Sequence, residues 1–477
     1  MEAFSARKTE IFAGSERNAP ERERFWQRAA FFHGEDLRYL RFLIPEGLRV
    51  LELGCGIGNT LAGLKPSFGL GVDFSPAMIA QAQRRHPDLK FQVGDVEDRD
   101  FLASLPGPFD VILIVDTIGS LDDCQTMFEG LHDLCSRETR VVVVYYSHLW
   151  EPLIRFAEWT GWRAKQVEQN VFSPADIHAL AALSDLEVIK AESRLLSPLW
   201  LFGMGSVINR FISILPLIRH LSLRHYSVCR SLRRTRDTIR SASVIIPARN
   251  ERGNIEAAIK RMPRFCDELE IIFVEGHSSD GTLSEIERVA QAYPDQNIKV
   301  LTQPGKGKAD AVFTGFGAAK GDVLMILDAD LTMPPEQLSK FWRSIASGKG
   351  EFINGTRLVY PMEEGAMQFL NLIANKGFSL LFSWLLNQRF TDTLCGTKVL
   401  RRSDYTRLLA GRSYFGDFDP FGDFDLIFGA TKLNLRCVEV PIRYSARTYG
   451  ETQISRFRHG LLLIRMVIFA FFRIKAF

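Results

Sequence analysis

Two stretches of the chain alternate short apolar runs with segments of helical spacing. In the first, Arg49–Leu53, Phe68–Asp73, Lys90–Val93, Val111–Val115 and Arg140–Tyr146 read as strands, and the alternation continues to about Leu195. A second begins at Ser243–Ile246 and runs through Ile271–Val274, Lys299–Leu301 and Val323–Leu327. Strands interleaved with helices predict βαβ units around a parallel sheet. The two halves share this pattern but not their motifs, so no internal repeat is expected. A chain of 477 residues has room for two to three domains, each with its own core. The expected fold class is α/β in two domains. Their predicted limits are 1–222 and 241–477, with an arginine-rich linker at 223–240.

Composition changes this picture little. With 46% hydrophobic and 24% charged residues the chain is ordinary globular material. The net charge of +3 is uninformative, and no nucleic-acid partner is expected. Charge distribution says more. Leu223–Arg240 holds Arg224, Arg230, Arg233, Arg234, Arg236 and Arg240 against Asp237, and the C-terminus holds Arg456, Arg458, Arg465, Arg473 and Lys475. Basic clusters beside apolar runs suit anionic lipid headgroups, at about 1 kcal/mol per residue near the surface. A solvated linker and tail would read the same way. Seven scattered cysteines without a CxxC pair argue for a reducing compartment and against a zinc site. Met1–Arg24 is charged and lacks an apolar signal core. No run reaches the roughly 18 apolar residues of a spanning helix, since Arg465 breaks Leu461–Phe472, and Asn209 and Arg210 break Pro198–Ile218. A cytoplasmic protein, peripheral at the inner face of a membrane, is the expectation.

The first candidate site is Glu52-Leu53-Gly54-Cys55-Gly56-Ile57-Gly58, a glycine-rich turn after an apolar strand. Gly54, Gly56 and Gly58 let backbone approach a ligand with no Cβ in the way. Alone the motif also fits dinucleotide folds. Acids at successive strand ends sharpen it: Asp73 lies 19 residues after Gly54, Asp95 follows the third strand and Asp116 ends the fourth. Glu52 before the turn favours a cationic sulfonium over a diphosphate. Together these residues resemble motif I and its companions in class I S-adenosylmethionine-dependent methyltransferases, over about residues 30–195. The resemblance implies a Rossmann-like sheet, Asp73 on the ribose hydroxyls and Asp95 near the adenine. His148, after the fifth strand, is a candidate base, although a capping or packing histidine fits as well.

The second site is Val323-Leu324-Met325-Ile326-Leu327-Asp328-Ala329-Asp330, a strand ending on two aspartates. Other DxD pairs stand at Asp98/Asp100 and Asp417/Asp419, but only this one caps a buried strand among companions. These are Ser243–Glu251 with Pro247, Arg249, Asn250 and Glu251; Val274–Thr282 with Glu275 and Asp280; and Lys306-Gly307-Lys308. Further on come Asn354–Arg357, Thr391–Lys398, Gly-Asp-Phe-Asp at Gly416–Asp419 and Gly422–Asp425, and Arg447–Gln453. Residues 243–450 resemble family 2 glycosyltransferases of the GT-A fold, closest to those that load polyprenyl phosphates. The resemblance implies a nucleotide-sugar donor and Mg2+ or Mn2+ held by Asp328 and Asp330. It also implies a phosphate-facing Arg357, and donor closure by the segment that Arg447 begins. Thr332 stands where a glutamine is common, Glu275-Gly276 where an aspartate pair is, and Gln453 where a lysine is. Asp425 or Asp423 is the candidate base for a hydroxyl acceptor, with an N-cap the plainer alternative.

Ala366–Leu386 has large residues at helical spacing with Asn371, Asn375 and Ser379 between, the pattern of an interfacial helix or of one packed between domains. The whole reads as a bifunctional chain, transferring sugar to a polyprenyl phosphate or lipid-linked glycan and methylating an intermediate of unknown identity. Two alternatives stay open: a hydroxyl acceptor served by Asp425, and a methyltransferase fold kept only for binding.

Overall fold

In the computed structural model of the chain the described residues are 5–163, 167, 169–235, 238–360, 369–411, 422–447, 449 and 464–477. Side chains are described in helix 369–386 from Asn375 onward. The chain divides into two compact units at Thr235 and Arg236.

The first unit holds β1 (Arg49–Leu53), β2 (Phe68–Asp73), β3 (Lys90–Val93), β4 (Phe109–Val115), β5 (Cys135–Tyr146), β6 (Leu186–Arg194) and β7 (Arg224–Ser231). They form one sheet in the order β3-β2-β1-β4-β5-β7-β6. The first five are parallel, and β7 runs antiparallel to both its neighbours. Helices cover both faces, so the central strands are apolar runs buried on each side. Cap chemistry starts the helices: Ser75 accepts from the Met78 amide ahead of Pro76, and Ser173 forms a capping box with Asp176.

The linker expected at 223–240 is not one. Arg224–Ser231 is interior sheet, and its arginines are not a lipid-facing cluster. Arg224 is fully buried and paired with Asp36 and Asp116; Arg230 is buried against Glu187. Arg233 and Arg234 pair with Asp185 and Asp133. Arg236 and Asp237 lie outside the described residues.

The second unit holds β8 (Ser241–Ala248), β9 (Glu268–Glu275), β10 (Asn297–Thr302), β11 (Val323–Ile326), β12 (Phe352–Thr356), β13 (Lys398–Arg401) and β14 (Cys437–Pro441). Their order is β10-β9-β8-β11-β13-β12-β14, with β13 antiparallel to β11 and β12. The helix Phe369–Leu386 buries Asn375 and Ser379 and exposes Leu380, the reverse of a polar stripe facing water. Asn375 is inward because it donates to buried Asp392. No described helix is long and apolar enough to cross a membrane.

Candidate active sites

The ends of β1, β2 and β4 and the turn after β3 open onto one cavity of about 1680 Å³ in the first unit. Gly54, Gly56, Asp73, Asp95 and Asp116 all line it. Gly54 has φ +77°, and a Cβ there would meet Thr117 Oγ1 at 2.0 Å. The Asp73 carboxylate accepts from the Gly56 and Ser75 amides at 2.9 and 3.0 Å, so strand end and glycine turn brace each other. Burial raises its pKa against those two bonds. Asp95 receives Lys8 Nζ at 2.6 Å, and Asp116 is paired with Arg224.

Glu52 and Gly58 are not on that wall. Glu52 is buried, accepts from the Leu61 amide at 3.0 Å and ties β1 to the following helix. Burial, with Asp73 and Asp116 nearby, pushes its pKa up to about 8, so near pH 7 it is largely uncharged. It therefore supplies no field for a sulfonium. Gly58, at φ +77°, caps the helix Asn59–Leu64, and Phe91 fills the space beside it. His148 does not line the cavity either.

Residues without a motif supply much of the wall. The helices Ala6–Asn18, Arg22–Arg28 and Ala30–Leu43 contribute Lys8, Arg22, Trp26 and His33. Lys8 bonds Glu97 as well as Asp95, each at 2.6 Å, and Glu16 accepts from the Ala77 amide. The imidazole of His33 stacks on Trp26 with centroids 3.6 Å apart. Burial, then Arg224, Arg22 and Arg163, lower its pKa to about 3.

In the second unit Asp328 and Asp330 stand just past β11, and each already holds a cation. Lys308 Nζ is 2.7 Å from Asp328, and Arg447 Nη2 is 2.7 Å from Asp330. Arg447 also reaches Glu251 at 3.0 Å, joining the β8 turn to the aspartates. Thr332 donates side chain and amide to Asp330, positioning it. Gly396 presses so close that a Cβ would lie 2.0 Å from Asp328 Oδ2 and 2.5 Å from Lys308 Nζ. Burial favours neutral Asp328 and neutral Lys308, but their pairing wins: the carboxyl is held low and the ammonium high.

The two candidate bases separate. Asp423 opens the helix Asp423–Lys432 and faces this cluster, 3.9 Å from Lys308 and 3.7 Å from Lys398. Asp425, two residues on and so about 200° around the helix, lines a different small hollow with Arg407 and Lys432. Arg357 is also engaged elsewhere: Nε and Nη2 grip buried Asp392 at 2.6 and 2.8 Å, leaving only its field to act on Asp328. Glu275 is buried and accepts from the Ser278 amide at 2.5 Å, and Asp280 accepts from Thr282 and Arg252 amides. Asn250, at φ +56°, accepts from Ser279. These three fix the loops after β8 and β9. Pro247 is half-buried in β8, while Arg249 and Lys306 are exposed. Asp417, Asp419 and Glu451–Gln453 lie outside the described residues.

Comparison with known proteins follows the same division. Residues 22–191 match the family model of a methyltransferase domain, and residues 243–409 match that of glycosyl transferase family 2. The chain joins a methyltransferase domain to a family 2 glycosyltransferase domain. The glycosyltransferase domain is similar to the dolichol-phosphate mannosyltransferase of Pyrococcus furiosus, 30% identical over 45% of this chain and 59% of that protein. It is also similar to the undecaprenyl-phosphate 4-deoxy-4-formamido-L-arabinose transferase of Edwardsiella ictaluri, 26% identical over 45% of this chain and 63% of that one. The chain thus spans about 60% of the length of the curated relatives it matches. Among solved structures, a possible histamine N-methyltransferase of Thermotoga maritima is 19% identical, over 46% of this chain and 99% of its own, with a TM-score of 0.36. The glucosyl-3-phosphoglycerate synthase of Mycobacterium tuberculosis is 18% identical, over 49% and 80%, also at 0.36.

Proposed function

We propose that the glycosyltransferase domain moves a sugar from a nucleotide diphosphate to a polyprenyl phosphate or lipid-linked glycan, with inversion. The observation that carries this is the cluster of Lys308, Lys398 and Arg447 around Asp328, Asp330 and Asp423. Relatives named for undecaprenyl- and dolichol-phosphate transfer support the acceptor class. Two carboxylates that already attract cations fit Mg2+ or Mn2+, with the remaining ligands coming from donor phosphates. No group of three or more such side chains among the described residues forms a self-sufficient cage. A bound divalent ion would neutralise the departing diphosphate. Lys308, kept charged by Asp328 and Asp423, would sit beside the same leaving group. The bond from the anomeric carbon to the diphosphate breaks as one to the acceptor oxygen forms. An ionised acceptor phosphate needs no base, and Asp423 then serves to hold the two lysines. With Asp425 on another face, a hydroxyl acceptor served by it loses its support.

The methyltransferase domain is read as binding S-adenosylmethionine between Gly54, Gly56, Asp73, Asp95 and Asp116, and transferring its methyl group. Residues Ile464, Ile468 and Phe472 are exposed at a helical spacing beside Arg465 and Arg473. This stripe suits the interface of an anionic bilayer, on whose inner face the protein would act.

The deciding test is a partition assay with Mn2+, polyprenyl phosphate and a panel of radiolabelled nucleotide sugars. Label from one donor in the organic phase, absent in Asp330→Asn, is expected. No label from any donor, in folded protein, would refute the lipid acceptor. Flotation with anionic liposomes should weaken as salt rises; failure to float at any salt would remove the membrane reading.

A further inference from the structure

Between β6 and β7 the segment 198–221 leaves the sheet, and its helical part is inside out. Met204–Val207 is an α turn that runs into a π turn at Ile208–Ile212. A surface helix ordinarily buries its apolar face and shows water its polar one. From Met204 to Ser213 the buried residues are instead Gly205, Asn209 and Ser213, while Met204, Val207, Phe211 and Ile212 are exposed.

Polar bonds fix that orientation. Asn209 Oδ1 accepts from the Ser197 amide at 2.8 Å, and Nδ2 donates to Ser197 O and Glu35 Oε2 at 2.9 and 3.2 Å. Gly205 presses so close that a Cβ would lie 2.0 Å from Leu199 O. Turning the helix to bury its apolar side would give up the Ser197, Glu35 and Leu199 contacts.

The flanks are exposed as well. Leu201 and Phe202 sit at φ +46° and +55°, a conformation that bulky side chains rarely adopt. Phe202 is 95% exposed, with its ring 5.9 Å from that of Trp200, and Leu217 is 86% exposed. Scattered exposed leucines are ordinary, but a run of apolar side chains held outward by polar anchors marks an interaction surface.

Charge decides between a protein and a bilayer as its cover. From Ser193 to Arg236 the chain has no aspartate or glutamate. The ionisable residues within 198–221 are Arg210, Arg219 and His220, all of them basic. Cations of one sign beside exposed apolar side chains and an indole match anionic headgroups over a hydrocarbon core.

We propose that the segment 198–221 docks the methyltransferase domain on an anionic bilayer, with its exposed apolar side chains entering the interface. This contact lies in a different unit from the C-terminal stripe of Ile464, Ile468 and Phe472, and it requires neither that stripe nor methyl transfer.

The test is flotation of the full chain with phosphatidylcholine–phosphatidylglycerol vesicles. Phe202→Asp with Val207→Asp should weaken binding about tenfold or more at an unchanged melting temperature, while Phe202→Leu retains it. Pure phosphatidylcholine should bind wild type about fivefold more weakly. Vesicles with brominated chains should quench tryptophan emission, and Trp200→Phe should lower that quenching. Quenching that Trp200→Phe leaves unchanged would place the contact elsewhere and overturn the proposal. Binding abolished by Ile468→Asp but untouched by the Phe202 and Val207 substitutions would overturn it and keep the C-terminal stripe. The reverse pattern would support it and remove the stripe. A wild-type dimer in sedimentation that Phe202→Asp with Val207→Asp dissociates, without binding to vesicles, would make this surface a protein contact and overturn the bilayer. Neither vesicle binding nor self-association would overturn both membrane readings.

Discussion

Gly396→Ala isolates the geometry of the aspartate pair from its chemistry. The substitution leaves every charged group in place, and Gly396 lies outside the left-handed region, so alanine costs no backbone strain there. Its Cβ would start 2.0 Å from Asp328 Oδ2 and must reach about 3.4 Å for ordinary contact. Both neighbours, Asp328 and Lys308, are side-chain ends, so Asp328 retreats by about 1.4 Å and Lys308 by about 0.9 Å, and the backbone stays. The 2.7 Å ion pair between them then cannot survive in its present position. Misplacement of a reacting group by about 1 Å costs on the order of 100-fold in rate. The expected result is a drop of that size in kcat/KM for sugar transfer to lipid phosphate, weaker Mn2+ binding by electron paramagnetic resonance, and an unchanged melting temperature. Activity within threefold of wild type would refute the argument from close approach. Loss of the melting transition would show instead that Gly396 serves the fold.

Three further outcomes are expected. Gly54→Ala, which sets a Cβ against Thr117 at a positive φ, should weaken S-adenosylmethionine binding at least 100-fold by calorimetry while sugar transfer persists; retained binding would separate the glycine turn from the cofactor. Asp423→Asn should lower sugar transfer about 100-fold and Asp425→Asn less than threefold, and the opposite order would return the base to Asp425. Glu52 has a folded pKa of about 8 against an ordinary 4.5, so the folded chain keeps a proton that the unfolded chain releases. Its contribution to stability is full below pH 4.5 and is lost as pH rises through 8, by up to about 1.4 kcal/mol per unit. Urea midpoints of Glu52→Gln across that range should fall less steeply than those of wild type, and parallel curves would contradict the buried neutral acid.

The parallel strands were legible because strands covered on both faces must be apolar throughout. Arg49–Leu53, Phe68–Asp73 and Lys90–Val93 were readable to the residue. β7 was not, because arginine signals solvent unless its partners are known. Asp36 and Asp116, far away in sequence, are what make Arg224 a core residue. The same blindness hid the N-terminal helices, whose Lys8, Trp26 and His33 carry no motif and reach the cavity only through tertiary packing. Motif residues were visible, but their directions were not: Glu52 and Arg357 turn to structural partners, and Asp423 rather than Asp425 meets the lysines.

The position of β7 has a consequence for how the protein is made. It is the last strand of its domain in sequence yet lies between β5 and β6. From the end of β5 at Tyr146 to Arg224 the ribosome adds 78 residues, about 4–16 s of synthesis at roughly 5–20 residues per second. Throughout that interval the growing chain carries an open edge on β5, joined over the last 30 residues by a β6 with no partner. Unpaired edges invite pairing with other nascent chains, and charge on the waiting strand discourages it. The Lys190, Glu192 and Arg194 of β6 keep that gap soluble until β7 arrives to close it.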